Sequence, residues 1–413
     1  MRVLMLEIDG LQPAYLGPYG CEWAPTPTWD NLAVVGVVFD QHFADCPDPA
    51  AGPGWRTGRH PLIDGPAGPD LLADLRSAGI RTARVAPLTS DDGWDINVAA
   101  KRGQTNPLAL NSTRKMVRQA IEQLGDAPDA LLRVEIDALL PPWRPSEEAR
   151  ADCFGESTEG DAEPWTDDVP EQIDLNDERT FGRLQNTYAA AVSTLDVGLR
   201  KVLADCAKRG FGDDALWIVT SSRGFPLGEH GAVGLSSADV HEELVHLPLL
   251  LRWPQGENGG MRVSSFTQPA DLAPTIRKTF GLPIAATNDT RAGQSLGGLA
   301  RGNDAPTRDR IVSGIRRGER TYWGYRTSSW YLMSDDRPDS PRRLFVKPDD
   351  RWEVNDIAPR NQEFAEEMEK EFSTWLPFPK IPTNLTPAAS RTGGRRANAG
   401  ANAAPSAPPT HGN

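Results

Sequence analysis

Short apolar runs alternate along this chain with segments of helical periodicity. Residues 3–8, Val-Leu-Met-Leu-Glu-Ile, are apolar with a single interruption, which suits a strand buried on both faces. That run ends on Asp9 and Gly10. Residues 81–86, 131–136, 215–220 and 247–253 repeat the pattern, and 34–43 reads as a further strand. Helices fall between them. Thr26-Pro27-Thr28 opens a short one with proline in its first turn, and 69–78 forms another closed by Gly79. The stretch 111–124 follows, then 181–208, where Leu184, Tyr188, Val192, Leu195, Leu199 and Leu203 share one face. Asp271 starts a helix ending near Gly281. This alternation predicts an α/β fold whose large, mostly parallel mixed sheet is flanked by helices on both faces. In such sheets ligands sit beyond the carboxyl ends of the strands, so Asp9 is expected to face any site; capping the next turn is its plainer use.

From Ile311 the pattern changes to alternating strands over 321–326, 329–333 and 343–346, followed by a helix over 361–375. The expected organisation is an α/β domain over 1–305 and a small C-terminal subdomain over 306–378, an antiparallel sheet plus helix. Residues 379–413 are rich in Ala, Asn, Gly, Pro, Ser and Thr and are expected to be a disordered tail. Within the first domain, 146–180 is crowded with Asp and Glu and reads as an extended, solvated excursion.

Charge and composition narrow the functional classes. The 413 residues carry a formal net charge of -13, which argues against nucleic acid or an anionic membrane as partner. No apolar run approaches membrane-spanning length, and a first strand at residue 3 leaves no room for a secretory leader. Cytoplasmic residence is the expectation, although a mis-assigned start would conceal a leader. Cys21, Cys46, Cys153 and Cys206 are scattered, with neither metal spacing nor a disulfide framework.

Several segments, in register, resemble the sulfatase family of the alkaline-phosphatase superfamily across residues 3–375. They are the first strand with Asp9, Thr26-Pro27-Thr28-Trp29-Asp30-Asn31-Leu32-Ala33, Thr57-Gly58-Arg59-His60-Pro61 and Ala78-Gly79-Ile80-Arg81-Thr82-Ala83. Tyr188 to Asp196, Gly228-Glu229-His230-Gly231, Asp271-Leu272-Ala273-Pro274-Thr275 and Gly293-Gln294-Ser295-Leu296 continue the series. The resemblance implies sulfuric-ester hydrolysis by a formylglycine made from Cys or Ser, with a calcium ion held by hard oxygen ligands.

Position by position, that chemistry is missing. The nucleophile position falls on Asp48 and its helper arginine on Gly52. Cys46 lies two residues early, in a motif without arginine. The first metal carboxylate survives as Asp9, the second is Gly10, and the later Asp-His pair reads Ser222-Arg223. Other family positions fall on Pro87, Thr89, Leu140 and, near the end of the series, Leu235. One aspartate cannot supply the roughly six oxygens calcium takes. No metal or other cofactor is therefore expected, and Arg223 is expected where the cation belonged, pairing with Asp9, with Asp48 as a further candidate neighbour. The alternative is an Arg223 that points to solvent.

Glu229 and His230 are expected near the pocket as loop-shaping residues rather than an acid–base pair. His241 and His246, five apart, miss helical metal spacing and read as ordinary polar residues; Glu242 reads as a backbone orienter. Trp94, Trp143 and Trp165 read as core or loop anchors ahead of sugar platforms. Two functions remain. One is a non-catalytic sulfatase-like protein that binds a protein partner or a sulfated or phosphorylated ligand. The other is a hydrolase with a rebuilt site, Asp48 as nucleophile and Arg223 or Arg56 as anion clamp.

Overall fold

The computed structural model describes residues 1–48, 54–65, 70–87, 93–99, 107–154, 163–236, 239–284, 289, 291–304, 308–337 and 340–376. The chain begins β1 (Arg2–Ile8), α1 (Pro27–Val35), β2 (Val37–Phe43), a single turn α2 (Gly54–Thr57), α3 (Leu71–Ser77), β3 (Arg81–Ala86) and β4 (Ile96–Ala99). It continues α4 (Asn111–Leu124), β5 (Ala130–Ile136), α5 (Glu147–Phe154), α6 (Glu178–Ala207), β6 (Ala215–Ser221), α7 (Glu242–Val245), β7 (His246–Leu247) and β8 (Leu249–Arg252). After β9 (Arg262–Thr267), α8 (Leu272–Thr279) and α9 (Leu296–Ala300) come β10 (Arg310–Arg317), β11 (Arg320–Thr327), β12 (Trp330–Asp335), β13 (Arg343–Val346) and α10 (Gln362–Ser373). Among the described residues, no helix is long and apolar enough to cross a membrane.

The large sheet runs β4-β3-β5-β1-β6-β8-β2-β7, with β9 against β2. β1 lies inside it, parallel to both β5 and β6. Its apolar run follows from that place. Leu4, Leu6 and Ile8 join Tyr188 and Leu195 of α6 in one core, while Val3 and Met5 join Leu75, Leu272 and Ile276 in the other. β8 runs antiparallel to β6 and β2, which makes the sheet mixed.

Four local expectations need correction. Val34 and Val35 finish α1 with exposed side chains, because the helix ends at Gly36 before β2 begins. The run read over 247–253 is divided by Pro248, which lacks an N–H for the ladder. Part of the acidic excursion is helical. In α5, Ala149 and Cys153 are buried while its acidic residues face outward. The short strands β4 and β9 had not been read at all.

The family-like segments prove to be anchors. Asp196, buried on α6, accepts the Thr28 amide at 3.1 Å and the Trp29 amide at 3.3 Å, so a carboxylate holds the N-terminus of α1. Asp271 accepts the amides of Gln268 and Gln294 at 2.8 Å each, and a forked pair from Arg308 at 2.7 and 3.1 Å. Both side chains of that pair are essentially inaccessible.

The second sheet, β10-β11-β12-β13, is antiparallel throughout, and Phe372 of α10 packs on Trp323 and Tyr325. A charged junction joins this sheet to the larger one. Arg326 lies 4.4 Å over both Phe43 and Tyr331 and reaches Glu242 and Glu353 at 2.8 and 3.1 Å; Lys347 reaches the same two carboxylates. The expected tail over 379–413 lies outside the described residues.

Asp271→Ala strands Arg308 in the interior and is expected to cost about 3–5 kcal/mol in urea unfolding. Adding Arg308→Met should recover part of that loss.

Candidate functional site

Because side chains alternate along a strand, Glu7 and Asp9 leave β1 on the face shared with Met5. Glu135 stands beside Glu7 in register, and Arg133 and Arg84 are paired across β5 and β3. The carboxyl ends of these strands therefore carry a charged layer. Arg84 forks onto Glu135 at 2.5 and 3.0 Å, while Arg133 bonds Glu135 and reaches Glu7 at 2.7 Å. Arg133 also lies 4.6 Å over the Trp55 ring. Burial raises the Glu7 carboxyl above its ordinary value, with the Arg133 charge opposing that shift.

Above this layer is a cavity of about 430 Å³. Asp9, Asp45, Cys46, Asp48, Ser222 and Arg223 line it, with Trp55, Leu140 and Leu272 supplying apolar wall. Among the described residues, six carboxylates line it (Glu7, Asp9, Asp45, Asp48, Glu135, Asp137) against three guanidiniums (Arg84, Arg133, Arg223).

At the tip of β1, Arg223 grips Asp9 with both prongs. Nε donates to Oδ1 at 2.7 Å and Nη2 to Oδ2 at 2.9 Å, while the Ser222 hydroxyl donates to Oδ1 at 3.1 Å. The expectation that Arg223 turns to Asp9 matches this geometry; the alternative that it points to solvent does not. The Asp48 carboxylate lies 3.7 Å from Arg317. Gly10 has φ +82 and donates its amide to the Arg223 carbonyl at 3.0 Å. A side chain there would be strained, and its Cβ would come 3.3 Å from Leu140.

These residues do not fit calcium. Both Asp9 oxygens accept from a fixed cation, the neighbouring position is a left-handed glycine, and Ser222 offers only a hydroxyl. Nor does the nucleophile segment fit formylglycine. Asp48 holds its position, and burial pushes the Cys46 thiol up to about 12, far from a reactive thiolate. Gly52 lies outside the described residues, as does Thr89. Arg56, expected as a possible clamp, instead forks onto Asp70 at 2.6 Å for both bonds.

Two cavity residues had given no signal in the sequence. His42 bonds Thr267 through Nδ1 at 3.0 Å, and its Nε2 has no partner among the described residues. Asp45 accepts the Cys46 amide on Oδ1 at 2.7 Å, and its Oδ2 has none.

Glu229 and His230 do not line this cavity, contrary to expectation. Glu229 accepts the Leu227 amide at 2.6 Å and shapes its own loop. Burial, with the Glu243 charge next, raises its carboxyl to about 7. His230 bonds Glu243 at 2.8 Å and stacks on His241 at 3.6 Å. His241 and His246 are likewise more than loose polar residues, bonded to Glu353 at 2.9 Å and Glu242 at 3.1 Å. Glu242 joins charges across the junction instead of orienting backbone. His230, His241 and Glu353 bring ligand atoms within 4.8 Å of one another. Yet Glu353 already accepts from Arg326 and Lys347, and His241 Nε2 faces Arg343 at 3.1 Å, so cations already occupy the electrostatic role of a metal. Trp143 is fully buried and donates to the Leu139 carbonyl at 2.7 Å, a core residue.

An Asp9→Asn, Arg223→Met double-mutant cycle should return a coupling of about 1–3 kcal/mol in urea unfolding. Burial opposes charge on His230, but Glu243 outweighs it and raises the group from 6.5 to about 9. Its stabilisation is therefore full below pH 6.5 and is lost as pH climbs through 9. Relative to His230→Gln, wild-type stability should fall across that interval.

A sequence model of the sulfatase family matches residues 134–282. Over 104 residues the chain is 31% identical to an N-acetylglucosamine-6-O-sulfatase of Bacteroides thetaiotaomicron, covering 25% of this chain and 18% of that one. It is 29% identical over 106 residues to the multifunctional alkaline phosphatase superfamily protein PehA of Trinickia caryophylli, covering 25% and 20%. The matched stretch thus spans about a fifth of each curated relative. The fold is that of the phosphonate monoester hydrolase of Agrobacterium radiobacter, with TM-score 0.70 and 17% identity over 91% of this chain and 96% of that one. Over residues 134–282 the chain is thus similar to the sulfatase family, and its overall architecture is the one seen in that phosphonate monoester hydrolase.

Proposed function

We propose that this chain is a non-catalytic sulfatase-like protein that acts by binding or assembly. The observation that carries the reading is the forked Arg223–Asp9 pair, which occupies both oxygens of the surviving metal carboxylate. An ester hydrolase of this fold has to neutralise a sulfate or phosphate and activate a nucleophile. Here the cavity gives an anion little welcome, since carboxylates outnumber guanidiniums six to three among the described residues. Each of those guanidiniums already serves a carboxylate.

The rebuilt-hydrolase reading draws on Asp48, which does line the cavity. Its proposed clamps are engaged elsewhere, Arg223 by Asp9 and Arg56 by Asp70. Assays with an aryl sulfate and an aryl phosphate, with and without added calcium, separate the two. No turnover above buffer is expected from wild type. Metal-dependent turnover abolished by Asp48→Asn would establish the hydrolase instead.

A further inference from the structure

We propose that a phosphate monoester docks on the solvent side of α4 and α6, where three arginines converge on one buried carboxylate and keep further donors free. This rests on reading the chain as a binding protein, and it gives that binding a ligand class and a place outside the cavity.

The carboxylate is Asp205 on α6, 6% exposed. Arg114 Nε donates to Oδ2 at 2.8 Å, Arg118 Nη2 reaches Oδ1 and Oδ2 at 3.0 and 2.9 Å, and Arg209 Nη1 reaches Oδ1 at 3.4 Å. Burial acts against charge on Asp205, yet the bonds from Arg118 and Arg114 outweigh it and hold the carboxyl below its ordinary value. Asp205 therefore stays an anion and fixes three guanidiniums in place. Nη1 and Nη2 of Arg114, Nη1 of Arg118, and Nε and Nη2 of Arg209 bond nothing among the described residues. The three side chains remain open to solvent. Three positive charges against one negative leave a surplus of two.

Lysines extend the field. Lys201 and Lys208 lie one turn to either side of Asp205 on the same face of α6, and Lys115 stands next to Arg114 on α4. All three are exposed, and none pairs with a carboxylate among the described residues. Glu122, one turn beyond Arg118, is exposed and does not bond it. A chain of net charge -13 thus gathers six cations around a single carboxylate. Those near the end of α6 complement its C-terminus. Those on α4 do the opposite. Arg114, Lys115 and Arg118 occupy its first two turns, where the helix dipole disfavours them and no acidic residue offsets them in the first turn. A bound anion relieves both this repulsion and that among the arginines.

A carboxylate or a sulfate ester would bring one negative charge. A phosphate monoester brings about 1.5 to 2 and three acceptor oxygens, which match the surplus of two and the several fixed guanidinium donors. The cavity, with its excess of carboxylates, offers the same group no comparable place.

Calorimetric titration at low ionic strength with phenyl phosphate, phenyl sulfate and benzoate, which share one ring and differ in the anion, tests the proposal. Phenyl phosphate should bind most tightly, and Arg114→Gln or Arg118→Gln should each weaken it about tenfold. Lys370→Gln, the same change of charge on α10, should leave affinity unchanged. Either arginine variant leaves two guanidiniums on Asp205. Should neither fold, the exposed pair Lys201→Gln and Lys208→Gln together should weaken binding. No binding of phenyl phosphate, equal affinity for phenyl sulfate, or binding untouched by these variants overturns the phosphate site and leaves the binding-protein reading standing. Calcium-dependent ester turnover overturns that reading instead.

Discussion

Two hydrogen bonds from Arg223 to Asp9 set the character of the whole site. Asp9 ends the strand around which the sheet is built, so its carboxylate is carried to the cavity whether or not chemistry takes place there. A carboxylate on such a strand needs a positive partner, and a guanidinium meets the need from within the chain. Once that choice is made, the rest of the cavity follows suit. Arg84 and Arg133 balance Glu7 and Glu135 below it, and Gly10 closes the neighbouring position with a left-handed turn. At the carboxyl ends of β1, β3 and β5 the charges of Glu7, Asp9 and Glu135 are thus met by arginines of the chain itself.

The scaffold keeps its shape by means independent of that chemistry. Asp196 fastens the start of α1, Asp271 and Arg308 lock the start of α8 to the strand that leads into the second sheet, and the Arg326–Glu242–Glu353–Lys347 cluster ties the two sheets together. None of these depends on what the cavity holds. This independence is the physical reason a chain can retain the architecture while its reactive residues change.

Much of this was legible in the sequence because burial on both faces writes apolar runs with few interruptions, as in β1, β5 and β6. β4 has only four residues, and β9 mixes arginine and serines with its apolar positions, so neither carried enough signal to stand out. Asp9 and Arg223 were brought together by matching segments, since 214 positions separate them and no local pattern links them. The same distance problem hid the partners of Arg56 and His241. Asp70 and Glu353 are visible as residues, but nothing in spacing says which cation each will meet. His42 and Asp45 were silent for a different reason: what distinguishes them is a missing partner, which only a folded chain displays.

The central claim is that an internal ion pair has replaced a bound divalent ion, and calcium titration of the wild-type protein by calorimetry tests it most directly. The account predicts no saturable binding at millimolar calcium. Stoichiometric uptake at micromolar concentration, lost in Asp9→Asn, would contradict it.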